Sequence, residues 1–181
     1  MVFFIIFVAV LFVVILLFSS PSLSPVPYFP SNKKDINLIT QALKIRNDQT
    51  IIDLGAGDGM VIFKAADIAY KQKLNTKFIG IDINPILIFI MTVRCLFHPN
   101  RNNIKIVHGD MFKINLSDLI TKSYPLVTIY LYISPWLIEK TIKNCKLGIK
   151  KTAIVSYMYP VKSLKKTEKT IQGVNKIFIY K

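Results

Sequence analysis

Reactive side chains are scarce in this chain: two cysteines, two histidines and ten carboxylates are spread over 181 residues. Cys95 and Cys145 lie far apart and show neither metal-ligand spacing nor the dense, even pattern of a disulfide framework. Both therefore read as core residues in a reducing compartment, and no metal is expected. The carboxylates face 24 Lys and Arg, for a formal charge of +14. That balance suits an anionic partner such as nucleic acid or a membrane surface. Because Lys greatly outnumbers Arg, and Ile and Asn are abundant, it equally suits the residue usage of an AT-rich genome. Internal repeats and low-complexity tracts are absent, and the length fits one domain.

Charge, Pro and Gly are also missing from the first eighteen residues, MVFFIIFVAVLFVVILLF. As a helix this run spans roughly 27 Å, enough to cross a hydrocarbon core. A signal peptide is the rival reading, but no base precedes the apolar run and SSPSLSPVP carries no A-x-A cleavage pattern. The expectation is an uncleaved transmembrane anchor over 1–19. The first bases, Lys33 and Lys34, follow it and favour a cytoplasmic site for the rest of the chain. Residues 20–31, rich in Pro and Ser, read as a stiff stalk.

Over 32–181 the hydrophobic period alternates between that of a helix and that of a buried strand. KKDINLITQALKI, GMVIFKAADIAYKQ, NPILIFIMTVRCLF and SPWLIEKTIKNCKLG read as helices, with Pro85 and Pro135 near two starts and Gly148 as a stop. TIIDL, KFIGID, IKIVHGD, LVTIYLYI, TAIVSYMY and VNKIFIYK read as strands, and DLITKS as a short helix or turn. Such alternation predicts an α/β domain with a Rossmann-like, open, mostly parallel sheet covered on both faces.

Gly55, Gly57 and Gly59 fall directly after the first strand. Glycines at such a strand end permit a tight turn and let backbone amides approach a ligand closely. The dinucleotide fingerprint G-x-G-x-x-G would need glycine where Met60 stands. Asp53 and Asp58 bracket the loop and would repel a pyrophosphate. They suit a ligand carrying an ammonium and a sulfonium, which points to S-adenosylmethionine rather than a dinucleotide. Asp82 closes the second strand, where an acid can accept both ribose hydroxyls. Asp110 closes the third, with Met111 and Phe112 beside it for an adenine ring. Acids also cap helices and fill turns, so each position alone is ambiguous. Three strand ends in this order are not.

These segments resemble the class I S-adenosylmethionine-dependent methyltransferases: DLGAGDG their first motif, IGIDINP the acidic loop after strand two, GDMF the adenine-side motif. PYFPS, residues 27–31, resembles an element preceding the first motif in a lysine methyltransferase family. That family includes enzymes acting on the ATP synthase c-subunit and the adenine nucleotide translocase, with prokaryotic relatives. The likeness covers roughly 27–181. It implies S-adenosyl-L-methionine as cofactor, held by Tyr28, Ser31, Asp53, Gly55, Ala56, Gly57, Asp58, Gly59, Asp82, Ile83, Asn84, Asp110 and Met111. It also implies a protein lysine as acceptor, membrane-associated if residues 1–18 anchor the chain. The chain departs from that family in having Asp82 where Glu is frequent, Met111 and Phe112 where Leu-Trp is common, and a brief C-terminal part in which the final hairpin of a seven-stranded sheet is in doubt.

At the end of strand four, YLYISPW places Tyr130, Tyr132 and Trp136 where a methyl group would emerge. Aromatic walls lower the pKa of an amine by disfavouring its charged form, and their faces hold a cation. Tyr and Leu alternating on a strand also serve simple packing. The Asn/Asp-Pro-Pro-Tyr/Phe element of base amino-group methyltransferases is absent, so no nucleic acid is expected. His108 is either a base or a structural residue. A small-molecule or lipid acceptor, or a noncatalytic tethered module, remains open.

Overall fold

The computed structural model describes residues 1–19, 29–121, 123–144 and 152–181, with the side chains of the first helix described as far as Phe12. Tyr28, most of the stalk and the Gly148 stop signal lie outside the described residues. Helix α1 (Val2–Ser19) carries no charge, and its described side chains are all exposed. Among the described residues no helix is long and apolar enough to cross a membrane. The expected spanning anchor therefore finds no support there.

The strands follow the apolar runs: β1 (Gln49–Leu54), β2 (Thr76–Asp82), β3 (Ile104–His108), β4 (Leu126–Leu131) and β5 (Thr152–Tyr157). Two more, β6 (Lys169–Gln172) and β7 (Lys176–Tyr180), complete a seven-stranded sheet in the order β3-β2-β1-β4-β5-β7-β6. The first five pair in parallel, and β7 runs antiparallel between β5 and β6. The brief C-terminal part thus holds the complete hairpin that the sequence left in doubt. It does so with one short, mostly exposed edge strand, KTIQ, whose single apolar residue gives no buried-strand signal.

Helices α2 (Ile36–Leu43), α3 (Met60–Lys71) and α4 (Pro85–Leu96) cover one face, and α5 (Pro135–Asn144) the other. Alternation along β1 feeds both cores. Ile51 packs with Phe78, Tyr130 and Tyr157, while Ile52 and Leu54 pack with Ile79, Ile129 and Leu131. The start of α2 is later than its periodicity suggests, because Lys33–Asp35 form a 3-10 turn capped by the Asn32 side chain. Asn84 caps α4 by accepting the amides of Ile86 and Leu87, with Pro85 in the first turn.

Candidate cofactor and acceptor site

The β1–β4 boundary is where the strand order reverses, and crevices for ligands open at such points above the carboxyl ends of the strands. Register puts Asp53 opposite Tyr130 across this boundary and opposite Gly80 on the other side. Beyond Leu54 the chain turns through Gly55, Gly57 and Gly59 at φ of 79°, 59° and 78°. At Gly59 a Cβ would come within 2.7 Å of the Phe63 ring, so that position demands glycine for space as well as conformation.

Asp82 ties the loop to β2. Its Oδ2 accepts the Gly57 amide at 2.8 Å and its Oδ1 accepts the Asn84 amide at 2.8 Å. A carboxylate has about four lone-pair sites, so acceptor capacity remains for a ligand hydroxyl. Burial raises its pKa, opposed by the amides of Asn84, Gly57 and Ile83 and by His108. The Ile83 carbonyl accepts from His108 Nε2 at 2.9 Å, which gives His108 a structural task between β3 and the Asp82 loop.

Asp53 is almost fully buried, and among the described residues no hydrogen bond or cation meets its carboxylate. Burial, reinforced by Asp82 and Asp58, pushes its pKa well above the usual 3.8. Asp58 lines the same cleft as Asp53 and has partners of its own. Its Oδ1 accepts the Met60 amide, and its Oδ2 meets Arg94 at 3.0 Å, with Arg94 also stacked 4.6 Å over Phe63. It lies on the cleft wall but spends its charge on α4.

A narrow cleft gathers Ser31, Asp53, Gly55, Ala56, Gly57, Asp58, Tyr130 and Tyr132. The Ser31 and Tyr130 hydroxyls are 2.8 Å apart, and burial followed by the nearby Asp53 holds the Tyr130 phenol well above its usual 10. Phe29 and Tyr132 also border a second cavity of about 310 Å³, completed by Ile133, Ser134, Trp136, Met158 and Tyr159. Tyr132 packs edge-on against Tyr157 at 5.0 Å, and its hydroxyl points to the Met158 sulfur at 3.8 Å. Met158 holds a left-handed backbone at φ 71°, rare for a side chain of this kind.

The three aromatic residues expected near the methyl group are thus separated. Tyr130 belongs to the first cleft, Trp136 to the rim of the second, and Tyr132 to both. Asp110 sits outside both lining sets, its Oδ1 accepting the Phe112 amide in a turn and its Oδ2 3.8 Å from Lys113. Met111 reaches back, since a Cβ on Gly55 would meet its Cε at 3.4 Å. Among the described residues no cluster of His, Cys, Asp and Glu could hold a metal ion.

The sequence reading missed Asp35. Its carboxylate accepts the amides of Val174 and Asn175 at 2.7 and 2.9 Å and the Tyr157 hydroxyl at 2.8 Å. This locks the turn before α2 to the β6–β7 hairpin, directly behind Tyr132. Burial would raise its pKa, but the two amides and Tyr157 outweigh it and hold the group below 3.8.

No family model matches the chain. A curated protein-lysine N-methyltransferase from Saccharolobus islandicus (strain REY15A) is 27% identical over 137 residues, 76% of this chain and 79% of its own length. An RNA methyltransferase from Salinibacter ruber, solved with S-adenosyl-L-homocysteine, superposes with a TM-score of 0.64 at 18% identity. The match covers 84% of this chain and 92% of that one. A precorrin-6y C5,15-methyltransferase from Geobacter metallireducens gives 0.57 at 17% identity, over 83% and 91%. At such identities the two structures speak for the fold.

Proposed function

We propose that this chain, which has the fold of the class I S-adenosylmethionine-dependent methyltransferases, transfers a methyl group to a lysine amine of a membrane or membrane-proximal protein. The observation that carries this reading is Asp53, a buried carboxylate without a partner, facing a glycine-lined cleft that adjoins an aromatic cavity.

The residues fit the cofactor. Asp53 offers a buried anion to an ammonium, the glycine turns leave room for close approach, and Asp82 retains acceptor capacity for ribose hydroxyls. When bound, S-adenosylmethionine supplies a methyl group on a sulfonium, which departs as the neutral thioether. The cleft is narrow, so entry displaces Phe29–Ser31, and the Ser31–Tyr130 hydrogen bond acts as the latch of that cover.

On the acceptor side, Tyr132 and the apolar wall around it disfavour a charged ammonium and so help an entering lysine lose its proton to solvent. A neutral amine held there would be the form able to take the methyl group from the bound cofactor, an N–C bond forming as the C–S bond breaks and the thioether leaves. Tyr132, shared by both cavities, aligns the two reactants, and alignment is the main requirement of such a displacement. The lysine assignment draws on the 27%-identical relative and on the PYFPS resemblance. Membrane association draws on the uncharged, exposed α1.

Incubating the full chain with methyl-labelled S-adenosylmethionine and membrane proteins, then mapping the label by mass spectrometry, tests the reading. Label on lysine side chains supports it. Label on lipid or small molecules alone makes the protein a different methyltransferase, and cofactor binding without transfer makes it a noncatalytic module.

A further inference from the structure

The rim of the acceptor cavity carries large apolar side chains that stay exposed among the described residues. Trp136 is 77% exposed and Phe29 66%, with Met158 partly exposed between β5 and the turn that follows. Ten Cα steps separate Ser19 from Phe29 and span at most roughly 35 Å. The cavity mouth is therefore tethered close to α1, a helix with no charge at all.

Exposed lysines lie close in sequence to the same rim. Lys33 and Lys34 are exposed four and five positions after Phe29. Lys162 follows Tyr159 of the cavity wall and starts the 3-10 turn Lys162–Thr167. That turn is held against α5 by the Ser163 amide, which donates to Glu139 at 3.2 Å. Glu139, one turn beyond Trp136, stays ionised there: burial raises its pKa, yet Ser163, the Lys162 amide and Lys143 hold it below 4.5, and its charge is directed at that turn and at Lys143.

We propose that this rim seats on an anionic bilayer surface, with Phe29 and Trp136 at the headgroup boundary and Lys33, Lys34 and Lys162 among the phosphates. Trp favours that boundary because its ring is apolar while its indole N–H finds a polar partner, and Phe29 adds apolar area beside it. Each lysine near an anionic surface adds to the attraction. An apolar segment alone holds a chain on a membrane without orienting it, and the aromatic-basic rim supplies the orientation. The cavity then opens toward groups at the membrane surface. The inference rests on the reading of this cavity as the acceptor site and of α1 as a membrane segment.

Trp136 is the single tryptophan of the chain and so reports on the rim directly. Full-length protein is reconstituted with phosphatidylcholine vesicles, with and without phosphatidylserine, and tested for flotation. Trp136 emission is read with brominated lipid and with aqueous acrylamide as quenchers. The expected result is flotation, a blue shift, loss of emission to brominated lipid, and protection from acrylamide. Phosphatidylserine strengthens these effects, and the triple variant K33E/K34E/K162E loses that increment. Flotation with Trp136 open to acrylamide and untouched by brominated lipid overturns the seating, leaves α1 as an anchor, and points to a protein surface on the rim. Failure to float overturns both the seating and the membrane association. Methyl transfer, measured separately with soluble lysine peptides, is unaffected by either failure.

Discussion

Ser31 and Tyr130, ninety-nine positions apart, share a 2.8 Å hydrogen bond across the cleft that holds Asp53. The bond joins the segment arriving from α1 to the carboxyl end of β4. It is the discrete contact that opening of the proposed cover would break.

Replacing Tyr130 with Phe removes that latch, a neutral hydrogen bond worth about 1 kcal/mol. If the bond breaks on opening and reforms on closing, cofactor entry and exit both accelerate about fivefold, while Kd stays nearly constant. Stopped-flow binding checks this. A collapse of kcat with unchanged binding rates would return Tyr130 to a catalytic role.

Asp53→Asn separates stability from function. The folded pKa of Asp53 lies above 3.8, so the fold favours the protonated form. The stability from this group is full below pH 3.8 and is lost as pH rises through its raised folded value. The neutral amide escapes that loss, so the variant melts higher than the parent at neutral pH, and the gap closes in acid. Cofactor affinity falls about tenfold or more, the worth of one charge-assisted hydrogen bond. Thermal melts over a pH series, paired with calorimetry, decide it. Equal melting at all pH values would mean that Asp53 has a compensating partner.

Asp82→Ala orphans the buried amides of Gly57 and Asn84 and costs about 2 kcal/mol of stability along with weaker cofactor binding. Asp82→Asn keeps an acceptor for one amide and loses less stability. Unchanged cofactor binding in a folded Asp82 variant would remove the ribose assignment.

Asp35→Asn weakens the anchor of the β6–β7 hairpin by roughly 2–3 kcal/mol in urea unfolding at neutral pH, since hydrogen bonds to a charged acceptor are lost. The pKa of Asp35 is lowered, so its stabilisation is present above pH 3.8 and fades as pH falls through the folded value. The gap between parent and variant therefore shrinks in acid. A gap independent of pH would show that shape, not charge, carries the contact.

Much of this site was legible because its parts are local. A buried parallel strand is a short apolar run, and the loop beyond it favours glycine where φ is positive, so TIIDLGAGDG and IGIDINP disclosed β1, β2 and the turns at their carboxyl ends. The partners of side chains were not local. Asp35 reads as an ordinary acid at a helix start, yet its partners lie at Tyr157, Val174 and Asn175. Asp58 reads as a ligand acid and lines the cleft, but its partner Arg94, two residues from the end of α4, was not legible from the loop. Period-two alternation places Tyr130 and Tyr132 on one face, but only the folded path of Ser31 decides which of them lies under the cover. The β6 strand escaped because a polar edge strand has no periodic signature.

Calorimetry of the full chain in detergent, titrated with S-adenosylmethionine and separately with NAD, goes to the heart of the matter. Micromolar binding of the first, proton uptake or release that changes with buffer as Asp53 ionises, and no binding of the second are the expected results. A folded protein that ignores S-adenosylmethionine, or that binds NAD instead, would contradict the assignment of the Asp53 cleft.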